Sequence, residues 1–364
     1  MSEETTKRKA DHIRIALNRN VQSKTVSSGF EDVNFVHRAL PELNRKDVDV
    51  STKVFGHKFK APLIVGAITG GTVEAEKINA TIAQVVEELG LGMGVGSQRA
   101  AIDDKRLERT FAIARKKAPN AFLIANIGGI QLANGYGLKE ARKALEMIEA
   151  DALAIHLNAL QETTQPEGQT NFQGILERIS QIADKLDRPV IAKETGAGVS
   201  YEEAKKLADA GVKGIDVSGA GGTSFAAVEY YRSKGSENSS LHNLGAVFWN
   251  WGIPTTVSIV EVSQSVSIPA IASGGIRNGV EVAKSLALGA SLASQSQPIL
   301  QSAIKGVEET RHALSSIIDE LRNAMFLVGT GSVERLHNTP LVITGRTFEW
   351  LRVRGFKPES YAKR

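Results

Sequence analysis

Eight short apolar runs, most of them followed by a longer stretch of helical or mixed polar character, occupy the middle of the chain and narrow the choice of fold. They are Leu63 to Ile68, Gly92 to Val95, Phe122 to Ala125, Ala152 to Ile155, Val190 to Ala192, Gly214 to Val217, Thr255 to Ile259 and Ala270 to Ala272. Each is too short for a helix, nearly continuous in apolar character, and bounded by Gly, Pro or a polar residue. That pattern suits strands buried on both faces of a parallel sheet. Between them, Glu74 to Leu89, Leu138 to Glu149, Phe172 to Leu186 and Tyr201 to Ala210 carry helical periodicity. Ser200 reads as the N-cap of the last of these, with Glu202 and Glu203 in its first turn, and Gly211 as its terminating glycine. Such units, spaced by roughly 15 to 40 residues, predict an α/β fold, a (β/α)8 TIM barrel of about 250 residues. A doubly wound sheet is the main competitor. It usually signals its nucleotide site with G-x-G-x-x-G, and neither that string nor a Walker or H-E-x-x-H pattern occurs.

The barrel is expected over residues 61–300. Residues 1–60 form an N-terminal extension covering the barrel mouth, and residues 301–364 a helical C-terminal segment, with Ala303 to Asn323 periodic and charged on one side. Packing or subunit contact is the plain expectation for both ends. The chain has no cysteine, which excludes disulfides, thiolate nucleophiles and cysteine-ligated metal sites. A formal charge of +4 suits anionic small molecules as readily as nucleic acid. No apolar run reaches the roughly 18 residues that span a membrane. The opening MSEETTKRKADH lacks the apolar stretch of a secretory signal. A cytoplasmic protein with neither a nucleic-acid nor a membrane partner is expected.

In such barrels the chemistry gathers where the strands end. The runs finish at Thr69, Ser97, Asn126, His156, Lys193, Ser218, Ser258 and Ser273-Gly274-Gly275. Strands must stop in something polar, but a lysine after Val190-Ile191-Ala192 needs an anionic or electron-rich partner to offset its desolvation. Ser273-Gly274-Gly275-Ile276-Arg277 offers backbone amides, a following helix N-terminus and a guanidinium, all suited to phosphate. Gly219-Ala220-Gly221-Gly222-Thr223 and Gly94-Val95-Gly96-Ser97-Gln98-Arg99 are further anion-type loops. Arg8, Lys9 and His12 add positive charge if the amino-terminal arm folds over the mouth. His156-Leu157-Asn158-Ala159-Leu160-Gln161-Glu162 gathers an imidazole, two carboxamides and one carboxylate. A lone carboxylate suits a Mg²⁺ that arrives with phosphate oxygens.

At these residues the chain resembles the type 2 isopentenyl diphosphate isomerases, FMN-dependent enzymes of isoprenoid biosynthesis. The matching strings include Arg8-Lys9-Ala10-Asp11-His12, the Gly94 to Arg99 and His156 to Glu162 runs, and Gln165-Pro166-Glu167-Gly168. Lys193-Glu194-Thr195-Gly196, Asp216-Val217-Ser218-Gly219, Trp251-Gly252-Ile253-Pro254-Thr255 and Ser273 to Arg277 complete them, so the resemblance runs from Arg8 into the tail. It implies an FMN across the barrel top, lined by Ala67, Ile68, Thr69, Ser97 and Asn126, with Lys193 at its electron-rich edge. Ser218, Thr223, Gly275, Ile276 and Arg277, with Ser296 and Gln297, would reach the ribityl chain or phosphate. The substrate diphosphate would meet Arg8, Lys9, Ser97, Gln98, Arg99, His156, Asn158 and Gln161, and Glu162 would hold Mg²⁺. Gln161, Lys193 and His156 would serve the chemistry, a 1,3-proton shift in which reduced FMN is the acid and base and NADPH the prior reductant. Family members assemble as homotetramers or homo-octamers. Ala293-Ser294-Gln295-Ser296-Gln297-Pro298 departs from the small, glycine-containing run of the family. Its glutamines would either weaken cofactor binding or hydrogen-bond the phosphate. The competing readings are a 2-hydroxy-acid oxidase and a flavin-binding relative without turnover. The first lacks support in a chain with no histidine between Asn243 and Arg311.

Overall fold

A computed structural model describes residues 2–233 and 239–364, and the side chains of all of these except residues 2–7 and 239. Three short strands come first: β1 (Val33–Phe35), β2 (Thr52–Val54) and β3 (His57–Phe59). The barrel follows as β4 (Leu63–Val65), β5 (Gly92–Gly94), β6 (Phe122–Gly128), β7 (Ala152–Leu157), β8 (Val190–Glu194), β9 (Gly214–Asp216), β10 (Ala270–Ala272) and β11 (Leu292–Gln295). These eight strands pair in parallel and in chain order, and β11 returns to β4 to close the ring. The fold is the (β/α)8 barrel. No helix among the described residues is long and apolar enough to cross a membrane.

Seven of the eight apolar runs are barrel strands, and one is not. Thr255–Ser265 is a helix, and its first eight residues, Thr255 to Val262, are all buried. A helix with no solvent face carries no amphipathic signal, and its β-branched Thr, Val and Ile residues imitate a strand. Ser258 is therefore not a strand tip; its Oγ donates to the Val199 carbonyl and accepts from the Val199 amide, each at 2.8 Å. The eighth strand is instead Leu292–Gln295, whose Ala-Ser-Gln sequence lacks the branched apolar residues that advertise a strand. Ser200 caps its helix by accepting from the Glu203 amide at 3.2 Å, and Gly211 follows with φ of 92°.

The two ends of the barrel are closed differently. At the N-terminal end, β2 and β3 form a hairpin whose Val54 and Phe59 pack with Ile64, Phe122, Ile191, Ile271 and Leu292 of the barrel interior. The Phe59 and Phe122 rings meet edge to face with centroids 5.4 Å apart. Across the other end lies the helix Ser2–Asn18, followed by a strap in which Gln22 bridges Thr223 and the Ser23 amide donates to the Gly222 carbonyl at 3.0 Å. The tail helix Val307–Leu327 packs on the outside of the barrel, and β12 (Leu341–Ile343) pairs antiparallel with β1.

Phe59 is fully buried at the closed end and far from the mouth. Phe59→Ala is expected to cost about 3–5 kcal/mol of stability, read as a lower urea midpoint, while ligand affinity at the mouth stays unchanged.

Candidate active site

Because strands buried on both faces cannot carry polar side chains along their length, those side chains appear at the C-terminal rim. The rim opens into one cavity, roofed on one side by the helix Ser2–Asn18. Ala67, Ile68, Thr69, Ser97, Asn126, Lys193, Ser218, Thr223, Gly275, Ile276, Arg277, Ser296 and Gln297 line it, as do Arg8, Lys9, Arg99, His156, Asn158, Gln161 and Glu162. Gln98 does not. Its side chain is fully buried behind the wall, where Nε2 donates to the Ala144 carbonyl at 2.9 Å and Oε1 accepts from the Asn126 amide at 2.8 Å. It shapes the wall and is out of reach of a ligand.

The floor comes from β6, β7 and β8. Asn126 donates through Nδ2 to the Val95 carbonyl at 3.1 Å, which turns its Oδ1 toward His156 Nδ1 at 2.9 Å. Nδ1 therefore carries the proton. Burial, with the Lys193 and Arg8 charges adding, pushes the imidazole down to about 4, so His156 is neutral at pH 7. Lys193 stands opposite Asp216 in the β8–β9 register and donates to its Oδ2 at 2.9 Å. Asp216 also accepts from the Ser273 hydroxyl, and Ser273 Oγ accepts from the Ser218 amide at 3.1 Å. Ser218 holds φ of 35°, a strained left-handed conformation at the cavity wall.

One candidate anion pocket lies between the tips of β9, β10 and β11. Gly274 and Gly275 have φ of 100° and 76°, and a Cβ on Gly222 would stand 2.3 Å from the Gly275 amide nitrogen. Only glycine allows the two loops to approach so closely. Among the described residues Arg277 Nη2 is buried without a partner, and burial lowers the proton affinity of its guanidinium. Both amide atoms of Gln295 are likewise buried and unpaired among the described residues, while Gln297 Nε2 donates to the Ala16 carbonyl of the roof helix at 3.3 Å. Buried polar atoms left unpaired point to a partner outside the chain.

A second group of cations faces the first from the roof. Lys9 Nζ donates to the Ser97 carbonyl at 2.7 Å and lies 5.0 Å from the centroid of the Phe111 ring. Burial, with the Arg8 and Arg99 charges adding, pushes Lys9 down to about 7. Burial also lowers the proton affinity of Arg8. Beside them Glu162 accepts from Asn158 at 2.8 Å, Gln165 at 2.6 Å and the Gln169 amide at 2.8 Å, and Asn158 Oδ1 is buried and unpaired among the described residues. Among the described residues no three acidic or histidine side chains converge to hold a metal, so Glu162 stands alone.

Sequence reasoning missed what fixes the roof. His12 Nε2 lies 2.8 Å from Oε1 of the fully buried Glu229, whose Oε2 accepts from Arg232 at 2.6 Å, and Arg232 also grips Glu167. Burial disfavours the Glu229 charge, but the His12 and Arg232 contacts outweigh it and hold the carboxyl below its usual range. No local pattern links positions so far apart in sequence.

The profile of the FMN-dependent dehydrogenase family matches residues 1–122 and 130–343. A relative from Methanosarcina mazei, named isopentenyl-diphosphate delta-isomerase, is 49% identical over 97% of this chain and 96% of its own. The chain belongs to the isopentenyl-diphosphate delta-isomerase family. Members from Ignicoccus hospitalis and Pyrococcus furiosus, both 48% identical, align with 98% and 96% of this chain and with 98% and 90% of their own. Beyond the isomerase family, the crystal structure of a mandelate oxidase has a TM-score of 0.61 at 19% identity, covering 94% of this chain and 98% of that one. A putative lactate oxidase from Pediococcus acidilactici has a TM-score of 0.65 at 17% identity, covering 94% and 93%. These two likenesses show the fold alone.

An anion bound beside Lys9 restores its proton affinity, so binding takes up a proton once the pH exceeds about 7. Inorganic diphosphate, titrated by calorimetry, is expected to bind more weakly as the pH rises above that point, by up to about tenfold per unit. Lys9→Met should flatten the profile, and a wild-type affinity constant through the window would dismiss the charged role.

Proposed function

We propose that this protein interconverts isopentenyl diphosphate and dimethylallyl diphosphate, using reduced FMN and Mg²⁺, with NADPH as the prior reductant. The observation that carries this reading is the pairing of two cation-lined anion pockets across one cavity, with neutral amides and a lysine between them. A phosphate-bearing flat cofactor and a diphosphate substrate need such an arrangement. A cytoplasmic homotetramer or homo-octamer is the assembly this reading carries with it.

The residues present fit FMN. The unpaired Arg277 Nη2 and the close glycine loops suit its phosphate, and Ser218, Thr223, Gly275, Ile276, Ser296 and Gln297 stand near enough to the same pocket to share in holding it. Ala67, Ile68, Thr69, Ser97 and Asn126 would flank its ring. When bound and reduced, the flavin supplies an acid–base ring nitrogen and an electron-rich face beside the substrate alkene. Lys193 supplies a fixed positive charge that favours an anionic reduced ring.

Arg8, Lys9 and Arg99 would bind the diphosphate, with Ser97, His156 and Asn158 completing its polar surroundings. Glu162 fits Mg²⁺ only as a shared ion, because one carboxylate leaves most of the coordination to phosphate oxygens and water. The reaction removes a proton from C2 of the substrate and adds one at C4, with no net redox. An unactivated alkene is a feeble base, so a competing charged acid in the wrong place would divert the proton. His156, neutral at pH 7 and donating to Asn126, orients without acting as such an acid. Gln161 presents an uncharged amide beside the reacting carbons. The roof helix brings Ile13 and Ala16 against the cavity and helps to exclude water.

An anaerobic incubation with FMN, NADPH, Mg²⁺ and isopentenyl diphosphate is expected to yield the dimethylallyl isomer. Visible bound flavin with no isomer formed would instead identify a relative without turnover. Glu162→Gln should raise the Mg²⁺ concentration needed for half-maximal rate by roughly tenfold or more while FMN affinity holds.

A further inference from the structure

Lys193 does not stand at the cavity floor unaided. We infer that Asp216 is a positioning residue of this site, fixing both the direction and the effective charge of the Lys193 ammonium. Asp216 is buried and does not line the main cavity; it faces a small inner chamber that Lys193, Asn126 and Ser294 also wall. From there its Oδ2 accepts from Lys193 at 2.9 Å and its Oδ1 from the Ser273 hydroxyl. The carboxylate thus bridges β8 to the tip of β10, and through Ser273 Oγ it reaches the strained Ser218 amide. A serine and a lysine on its two oxygens leave it one orientation, and the lysine inherits that constraint.

The charge argument runs the same way. Around Lys193 stand Asp216 from β9, His156 from β7 and Glu194 on its own strand, with Arg8 and Lys9 beyond His156 on the roof. Glu194 is turned back onto the amides of Gly196 and Ala197, and burial pushes it up to about 7. Asp216 is therefore the one carboxylate in direct contact with the ammonium among the described residues. Without it, Lys193 would be a buried cation with no carboxylate in contact among the described residues, and the cost of burying its charge would go uncompensated.

The inference rests on the flavin reading above. Asp216→Asn keeps the side-chain volume and removes the charge. In the FMN-loaded protein it is expected to lower kcat by roughly 10- to 100-fold, while KM for isopentenyl diphosphate stays within about twofold. The reduction potential of bound FMN should separate a positioning role from a structural one. In wild type its pH profile follows the flavin alone. In Asp216→Asn the profile is expected to depart from wild type, and Lys193→Met should lie below wild type throughout. Ser273→Ala, which keeps the carboxylate but frees its direction, should lower kcat less and leave the profile close to wild type. Superimposed profiles for wild type and Asp216→Asn, or a raised KM at constant kcat, would overturn the inference. Wild type that takes up no FMN would sink the flavin reading itself, and this inference with it.

Discussion

The closed parallel barrel governs everything else in this molecule. Its strands are buried on one side by their own interior and on the other by helices, so polar side chains have no place along them. They collect where the strands end, and ring closure turns eight separate ends into a single rim. The hairpin carrying Phe59 stops one mouth with aromatic packing. The other mouth keeps Asn126, His156, Lys193 and the glycine loops within one cavity.

That cavity holds more cation than its walls can neutralise. Arg8, Lys9, Arg99, Lys193 and Arg277 face it, and among the described residues Glu162 is the one carboxylate that lines it, already engaged by amides; behind the wall Asp216 pairs with Lys193, and Asp103 with Arg99. Burial acts on the surplus by lowering the proton affinity of Lys9, Arg8 and Arg277. An anion entering the cavity relieves that penalty. The free protein's own electrostatics therefore favour an anion in this cavity. The neutral His156 belongs to the same balance, because another positive charge on the floor would be opposed by Lys193 and Arg8.

Much of this was legible in the sequence, for particular reasons. A strand such as Val190 to Ala192 announces itself by unbroken apolar character, and the lysine after it by contrast. The same rule misread Thr255 to Ile259, because a helix buried all round looks apolar at every position. It overlooked Leu292–Gln295, whose small and polar residues owe their strand state to ring closure between β10 and β4 and not to propensity. Gln98 sits inside a loop of cavity-facing residues, and spacing alone could not show that its amide turns back to brace Asn126. His12 and Glu229, or Lys193 and Asp216, meet only once the chain is folded, so their pairing had no local signature.

The antiparallel pairing of β1 with β12 joins segments near the two ends of the chain. During synthesis, Val33 emerges long before Ile343, its partner in that ladder, so β1 must wait as an unpaired edge while the whole barrel forms beside it. A truncation that removes Leu341–Ile343 would therefore leave its mark near the front of the chain, as an exposed and adhesive strand at Val33–Phe35.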